Sequence, residues 1–234
     1  MMLANSLVEG FFKSNMMGQA IVLIQIAGSV VMMAAIIGKW RELSYLTTVT
    51  RRFLRDFATF GDVLDYYVKR RPAITSGVET IYKETCERLV KMIAPDPRAA
   101  APAGATALSP HEIELVRSTC EHALEEEVLK VEHGMGVIST VVSMAPMLGL
   151  LGTVWGVLDA FADMGEAQSA NLATIAPSIS SALVTTVVGL IVAIIGVVFF
   201  NHMNGTIRDL SSDMEGFADE LTGRIANEYQ GRGA

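Results

Sequence analysis

Charge is scarce in this 234-residue sequence, and the scarcity is local. Charged side chains make up 18% of it, against about 25% in an ordinary soluble domain. No Asp, Glu, Lys, Arg or His occurs between Lys13 and Lys39, between His133 and Asp159, or between Glu166 and His202. A helix needs about 20 apolar residues to cross a hydrocarbon layer about 30 Å thick, and each gap is long enough. That excludes a soluble enzyme. Cysteine is scarce too. Cys86 and Cys120 are the two present, both in charged stretches that read as cytosolic. They are expected as reduced thiols filling small helix positions, and a secreted disulfide scaffold is excluded. The net charge is −7 and no basic stripe exists, which argues against nucleic acid as a partner. No nucleophile motif, phosphate loop or zinc spacing is present, so neither catalysis nor a cofactor or metal is expected. His111, His122 and His133 stand eleven apart and share a helix face. Successive ones lie about 16 Å apart along a helix, too far to share a metal, so they are expected in solvent.

What is present is a set of three apolar runs. They predict transmembrane helices over 19–38, 135–161 and 175–200. The first run is too long for a signal-peptide core, its flank carries only Glu9 and Lys13, and Lys39, Trp40 and Arg41 follow without a small-residue cleavage site. It is therefore expected to be retained. Of the 18 Lys and Arg residues, 14 lie between the first and second runs. The positive-inside rule then places 1–18 outside, 39–134 inside, the short loop 162–174 outside and the tail 201–234 inside. No strand pattern or repeat is visible. The expected fold is all-α: an integral membrane protein with three transmembrane helices and long cytoplasmic helical extensions.

In the inner segment, Phe53, Leu54, Phe57, Phe60, Leu64 and Tyr67 recur at helical spacing and extend the first span into the cytoplasm. Ile74, Val78, Ile81, Leu89 and Ile93 predict a second helix. A Pro/Ala linker near 94–108 ends it. A new helix starts with Ser109 as N-cap, Pro110 at the first helical position and Glu112 closing a capping box, and it is expected to run unbroken into the second span. In the tail, Met203, Ile207, Leu210, Met214, Phe217 and Leu221 form an apolar seam. Either a partner helix or this chain's own cytoplasmic helices would cover it.

The spans themselves carry two patterns. On the second, Pro146, Gly149, Thr153, Gly156 and Ala160 follow at steps of three and four, one helix face of small residues around one hydroxyl. On the third, Ser178, Ser181, Thr185 and Thr186 form a polar arc opposite Val, Ile and Leu. Such hydroxyls either bond back to their own helix and serve packing, or line a pathway. No span carries a titratable side chain at its middle; Asp159 lies near the outer end of the second. If the chain moves protons, the acid must come from another helix.

The run from Ala145 through Pro146, Gly149, Gly152, Thr153, Trp155 and Gly156, followed by Asn171 to Pro177 and the Thr186–Gly189 region, resembles the TolQ/ExbB branch of the MotA/TolQ/ExbB family. The resemblance covers Met144 to Asn201 closely and the three-span outline more generally. It implies an inner-membrane stator subunit that couples proton motive force to mechanical work on the cell envelope. Five copies would form a ring around the single membrane helices of a TolR/ExbD-like dimer, whose Asp carries the ion. A TonB/TolA-like energy-transducing protein and membrane lipid are further partners it admits.

By position, Thr153 matches the threonine of the family's second-span motif and Thr186 that of its third span. Both are expected to face the central helices, with Ser181 and Thr185 lining nearby. Pro146, Gly149, Gly156, Pro177 and Gly189 are expected to shape packing around the pore. The sequence departs from the family at one point: Ser181 stands where a Glu is usual, four residues after the proline. Serine cannot titrate, so proton and sodium both stay open as the ion. Two other readings fit the same architecture, a non-conducting membrane scaffold and a small solute transporter.

Overall fold

The computed structural model describes residues 16–70, 76–93, 108–166 and 172–229. The regular elements among them are all helices: α1 (Met16–Ala58), α2 (Val63–Arg70), α3 (Gly77–Ile93), α4 (Pro110–Glu132), α5 (Met135–Glu166) and α6 (Leu172–Tyr229). Three stretches are long and apolar enough to cross a membrane, as the all-α membrane fold requires: Met16–Ala58, Pro110–Gly165 and Ile175–Tyr229. The N-terminal segment to residue 15, Ile74, most of the Pro/Ala linker, the centre of the short loop and the last five residues lie outside the described residues.

The chain divides into two compact units, and α1 and α6 each contribute to both. The first takes α1 up to Lys39 and the chain from Gly134 to Met203. Its organisation is inverted relative to a soluble core. On α1, Ile21, Gln25, Met32 and Ile36 are buried at helical spacing, while Leu23, Ile24, Val30, Val31 and Ile37 point outward. On α5 and α6 the outward residues include Met147, Leu150, Val154, Phe161, Leu183, Ile194 and Val198, while the buried ones include Ala145, Ala160, Ala182 and Ala193. Large apolar side chains outside and small ones between helices suit a lipid solvent, where close packing replaces the hydrophobic drive.

The second unit comprises Trp40–His133 and Asn204–Ala234 and has a conventional core. Phe53 and Phe57 of α1, Tyr66 of α2, Tyr82 of α3 and Phe217 of α6 are all buried there. Their rings meet mostly edge to face, with Phe57 and Phe217 centroids 5.1 Å apart and Phe53 and Tyr66 5.4 Å apart. The Tyr82 hydroxyl donates to Val63 O at 2.5 Å. The Arg224 guanidinium lies 5.0 Å over the Phe57 ring and donates to Phe60 O at 3.1 Å. Ile207, Leu210, Met214, Phe217 and Leu221 are all buried, as is Met203 at the end of the first unit's stretch of α6. The Phe217 ring contacts with Phe53, Phe57 and Tyr82 show that this chain's own helices cover the lower part of that seam.

Cap chemistry sets the breaks. The long helix expected to continue past Phe57 instead ends at Ala58 and restarts at Val63. Two tight turns close it, Thr59 N to Asp56 O and Phe60 N to Phe57 O, and Asp62 then accepts from Leu64 N at 2.9 Å to open α2. At α4 the capping box forms as expected: the Ser109 hydroxyl accepts from Glu112 N, and the Glu112 carboxylate accepts from Ser109 N at 2.8 Å. These bonds hold the Glu112 carboxyl below its ordinary pKa. The unbroken run from α4 into the second span does not occur. Gly134 adopts φ +89°, a left-handed conformation that suits glycine, and separates α4 from α5.

His111, His122 and His133 are exposed, as expected, and His122 pairs with Glu126 at 3.6 Å. Cys86 and Cys120 are free and buried. Burial pushes the Cys86 thiol up to about 12 and raises Cys120 as well, so both are protonated near neutral pH.

Because Phe217 contacts rings from α1 and α3, Phe217→Ala is expected to destabilise the second unit by about 3–5 kcal/mol. Thermal melting of the detergent-solubilised full chain, followed by helical circular dichroism, measures it. A melt indistinguishable from wild type would contradict the assigned core.

Candidate functional site

In the first unit α5 and α6 approach closely, and glycines make it possible. A Cβ on Gly149 would stand 2.9 Å from Thr186 Cα, inside any real contact distance. Cβ atoms on Gly152 and Gly156 would collide with Thr185 Oγ1 and with Ala182 Cβ. From the other side, a Cβ on Gly189 would collide with the backbone oxygen of Ala145. The contact is thus nearly backbone to backbone, the arrangement small residues permit between membrane helices. Pro146 lies inside α5 and Pro177 inside α6, each removing one N–H from its helix ladder.

The face of α5 used here is Ala145, Gly149, Gly152, Gly156 and Ala160. Compared with the small-residue stripe in the sequence, two positions move by one residue, from Pro146 to Ala145 and from Thr153 to Gly152. Ala145, Gly149, Gly152 and Ala160 are buried, whereas Pro146 and Thr153 are half-buried at the margin.

The hydroxyls divide accordingly. Thr186 Oγ1 donates across the contact to Gly149 O at 2.7 Å. Thr185, 1% exposed, donates to Ala182 O at 2.7 Å and lies 3.4 Å from Gly149 O. Ser181 is buried and donates to Ser178 O at 3.0 Å. Ser178 in turn donates to Asp163 Oδ2 at 3.3 Å, near the end of α5. Thr153 donates to Leu150 O of its own helix at 2.7 Å. The structure therefore brings Thr185, Thr186, Gly149 and Gly189 together at one level, with Gly156 and Ser181 toward the Asp163 end. It does not bring Thr153 into a hydrogen bond with the α6 hydroxyls.

Sequence reasoning missed Gln25 of α1. Its side chain is 2% exposed, and Nε2 donates to Ala145 O at 3.3 Å and to Thr185 O at 3.2 Å. One amide thus joins all three spans at the level of the Gly149–Thr186 bond. A polar residue four after Ile21 and seven before Met32, inside a charge-free run, was the available signal. Gly152, Ala182 and Gly196 were also missed. A Cβ on Gly196 would collide with Val142 and Met32.

Hydroxyls, an amide and backbone carbonyls can pass hydrogen bonds or touch a cation, but none of them binds a proton near neutral pH. Among the described residues, no group of three or more His, Cys, Asp or Glu could hold a metal ion. The arrangement can line a path but cannot by itself load it.

Comparison with known proteins gives the chain its relatives. The model of the MotA/TolQ/ExbB proton channel family matches residues 93–216, which include α4, α5 and the site-bearing part of α6. The Tol-Pal system protein TolQ of Haemophilus influenzae is 30% identical over 219 residues, covering 91% of this chain and 90% of that protein. TolQ of Pseudomonas aeruginosa is 33% identical over 153 residues, 64% of this chain and 61% of its own length. The biopolymer transport protein ExbB of Neisseria gonorrhoeae is 32% identical over 107 residues, 46% of this chain and 49% of its own.

The glycine contact makes a paired prediction. Gly189→Ala pushes a methyl against the Ala145 carbonyl and is expected to destabilise by about 1–3 kcal/mol. Gly205→Ala, on the same helix with open space around it, is expected to stabilise by about 0.5–1 kcal/mol. Thermal melts of the two variants should move in opposite directions. Equal shifts would contradict the backbone contact.

Proposed function

The chain belongs to the MotA/TolQ/ExbB proton channel family, in its TolQ/ExbB branch, and from that premise we propose that it is the stator subunit of an ion-driven motor in the bacterial inner membrane. Five copies form a ring around the membrane helices of a TolR/ExbD-like dimer. A membrane Asp on that partner carries the ion, and Thr153 and Thr186 offer hydroxyls beside it, with Ser181 and Thr185 nearby. Pro146, Gly149, Gly156, Pro177 and Gly189 keep the wall thin and stiff. The N-terminus and the short loop 162–174 face the periplasm, and the segment 39–134 and the tail face the cytoplasm. Ion flow turns ring against dimer, and a TonB/TolA-like protein passes the work to the envelope. Each proton supplies about 2.3 kcal/mol per 100 mV of membrane potential.

One observation carries this reading. The three spans meet at a level built from glycine, hydroxyls and carbonyls, Gly149, Thr185 and Thr186 among them, with no titratable group in the hydrogen bonds there. Lined in this way, the chain needs an acid from outside. A non-conducting scaffold of the same shape is the second reading, favoured by Ser181 in place of the usual Glu.

Thr186→Val keeps the shape of the side chain and removes the donor that Gly149 O accepts. It is expected to abolish driven work while the complex still assembles, and Thr153→Val is expected to do the same. Ion flux through the complex in proteoliposomes, beside its size by gel filtration, measures both. Normal flux in both variants would contradict the assigned roles.

A further inference from the structure

Gln25 is buried in an otherwise apolar seam of α1, between Ile21 and Met32. Its Nε2 is satisfied twice, by Ala145 O of α5 and Thr185 O of α6. Carbonyl oxygens only accept, so this orientation of the amide is the one its neighbours allow. That leaves Oε1 buried and without a hydrogen-bond partner. A buried carbonyl that accepts nothing is unfavourable, and more so with lipid rather than water outside. An apolar side chain of the same length would avoid the loss. The two Nε2 bonds, at 3.3 and 3.2 Å, are long for N–H to oxygen and offset it weakly.

The place of this amide is specific. Ala145 lies one turn before Gly149, the residue whose carbonyl accepts from Thr186. Thr185 adjoins Thr186. A Cβ on Gly189, one turn further along α6, would stand 2.8 Å from Gln25 Nε2. The amide therefore fixes the height of α1 against two carbonyls, one a turn before Gly149 and the other next to Thr186, the two residues joined by the Thr186 hydroxyl bond. Residues along α1 that only pack, such as Ile21, Met32 and Ile36, are apolar.

We propose that Gln25 is a positioning residue of the ion path: it locks the first span to the level of Thr185 and Thr186, at a cost to the stability of the fold. This inference rests on the reading of the chain as an ion-driven subunit. It adds the first span to a path otherwise built from the second and third.

The test compares Gln25→Met and Gln25→Glu with wild type in the full complex purified from membranes and reconstituted in proteoliposomes. Methionine keeps length and flexibility and removes both donors. Gln25→Met is expected to melt at or above the wild-type temperature and to assemble normally, yet to lower ion flux about tenfold. Glutamate donates only while protonated. Gln25→Glu is expected to retain partial flux at acid pH and lose it as pH rises, a titration absent from wild type. A Gln25→Met complex that conducts like wild type overturns the inference. One that loses assembly and stability in proportion to its flux also overturns it, because the role would then be packing. A wild-type complex that passes no ions overturns the parent reading and this inference with it.

Discussion

Two helices in the first unit come close enough that α5 has room for nothing larger than hydrogen at Gly149, Gly152 and Gly156. Gly149, Gly152 and Gly156 of α5 meet Ala182, Thr185, Thr186 and Gly189 of α6, and at each glycine even a methyl group would collide. In lipid, no hydrophobic drive holds helices together, so van der Waals contact and hydrogen bonds at short range must do so. The close approach supplies both. It also lets the Gly149 carbonyl accept the Thr186 hydroxyl directly. A gap wider by one methyl would draw the Gly149 carbonyl away from that hydroxyl. The placement of Gln25, which reaches the same level from α1, depends on the same gap.

The two compact units answer to different solvents. In the first, many large apolar side chains face outward, and Gln25, Thr185 and several alanines are buried beside Ile21, Met32 and Ile36. In the second, aromatic rings and a cation–π contact form a buried core of the ordinary kind, closed by Phe217 and Arg224 near the chain's end. Helix breaks in the chain fall at residues suited to them: Gly134 in a left-handed conformation, and Asp62 capping the short α2.

Much of this was legible in the sequence because it follows from local chemistry. Charge-free runs of sufficient length announce the spans. Ser109, Pro110 and Glu112 announce the start of α4, and the tail seam from Met203 to Leu221 announces a buried face. Other features depend on contacts distant in sequence. The break after Ala58 was missed because apolar spacing continues through Phe60 and Leu64 while the turn is set by Asp62. The break at Gly134 was missed because glycine also sits comfortably inside membrane helices. On α5, one stripe through Pro146 and Thr153 and another through Ala145 and Gly152 are equally periodic, and only the position of α6 chooses between them. Gln25 escaped notice for a related reason. An isolated amide in an apolar run has no periodicity, and its importance lies in two carbonyls 120 and 160 residues away.

The central claim is a division of labour, in which this chain lines the path and another polypeptide supplies the group that binds the ion. Ion flux into proteoliposomes, read for protons and for sodium, tests it most directly, using this chain alone, with the proposed acidic single-span partner, and with the membrane Asp proposed for that partner changed to Asn. The account predicts flux only in the second case. Flux through the chain alone, or undiminished flux with the Asn partner, would contradict it.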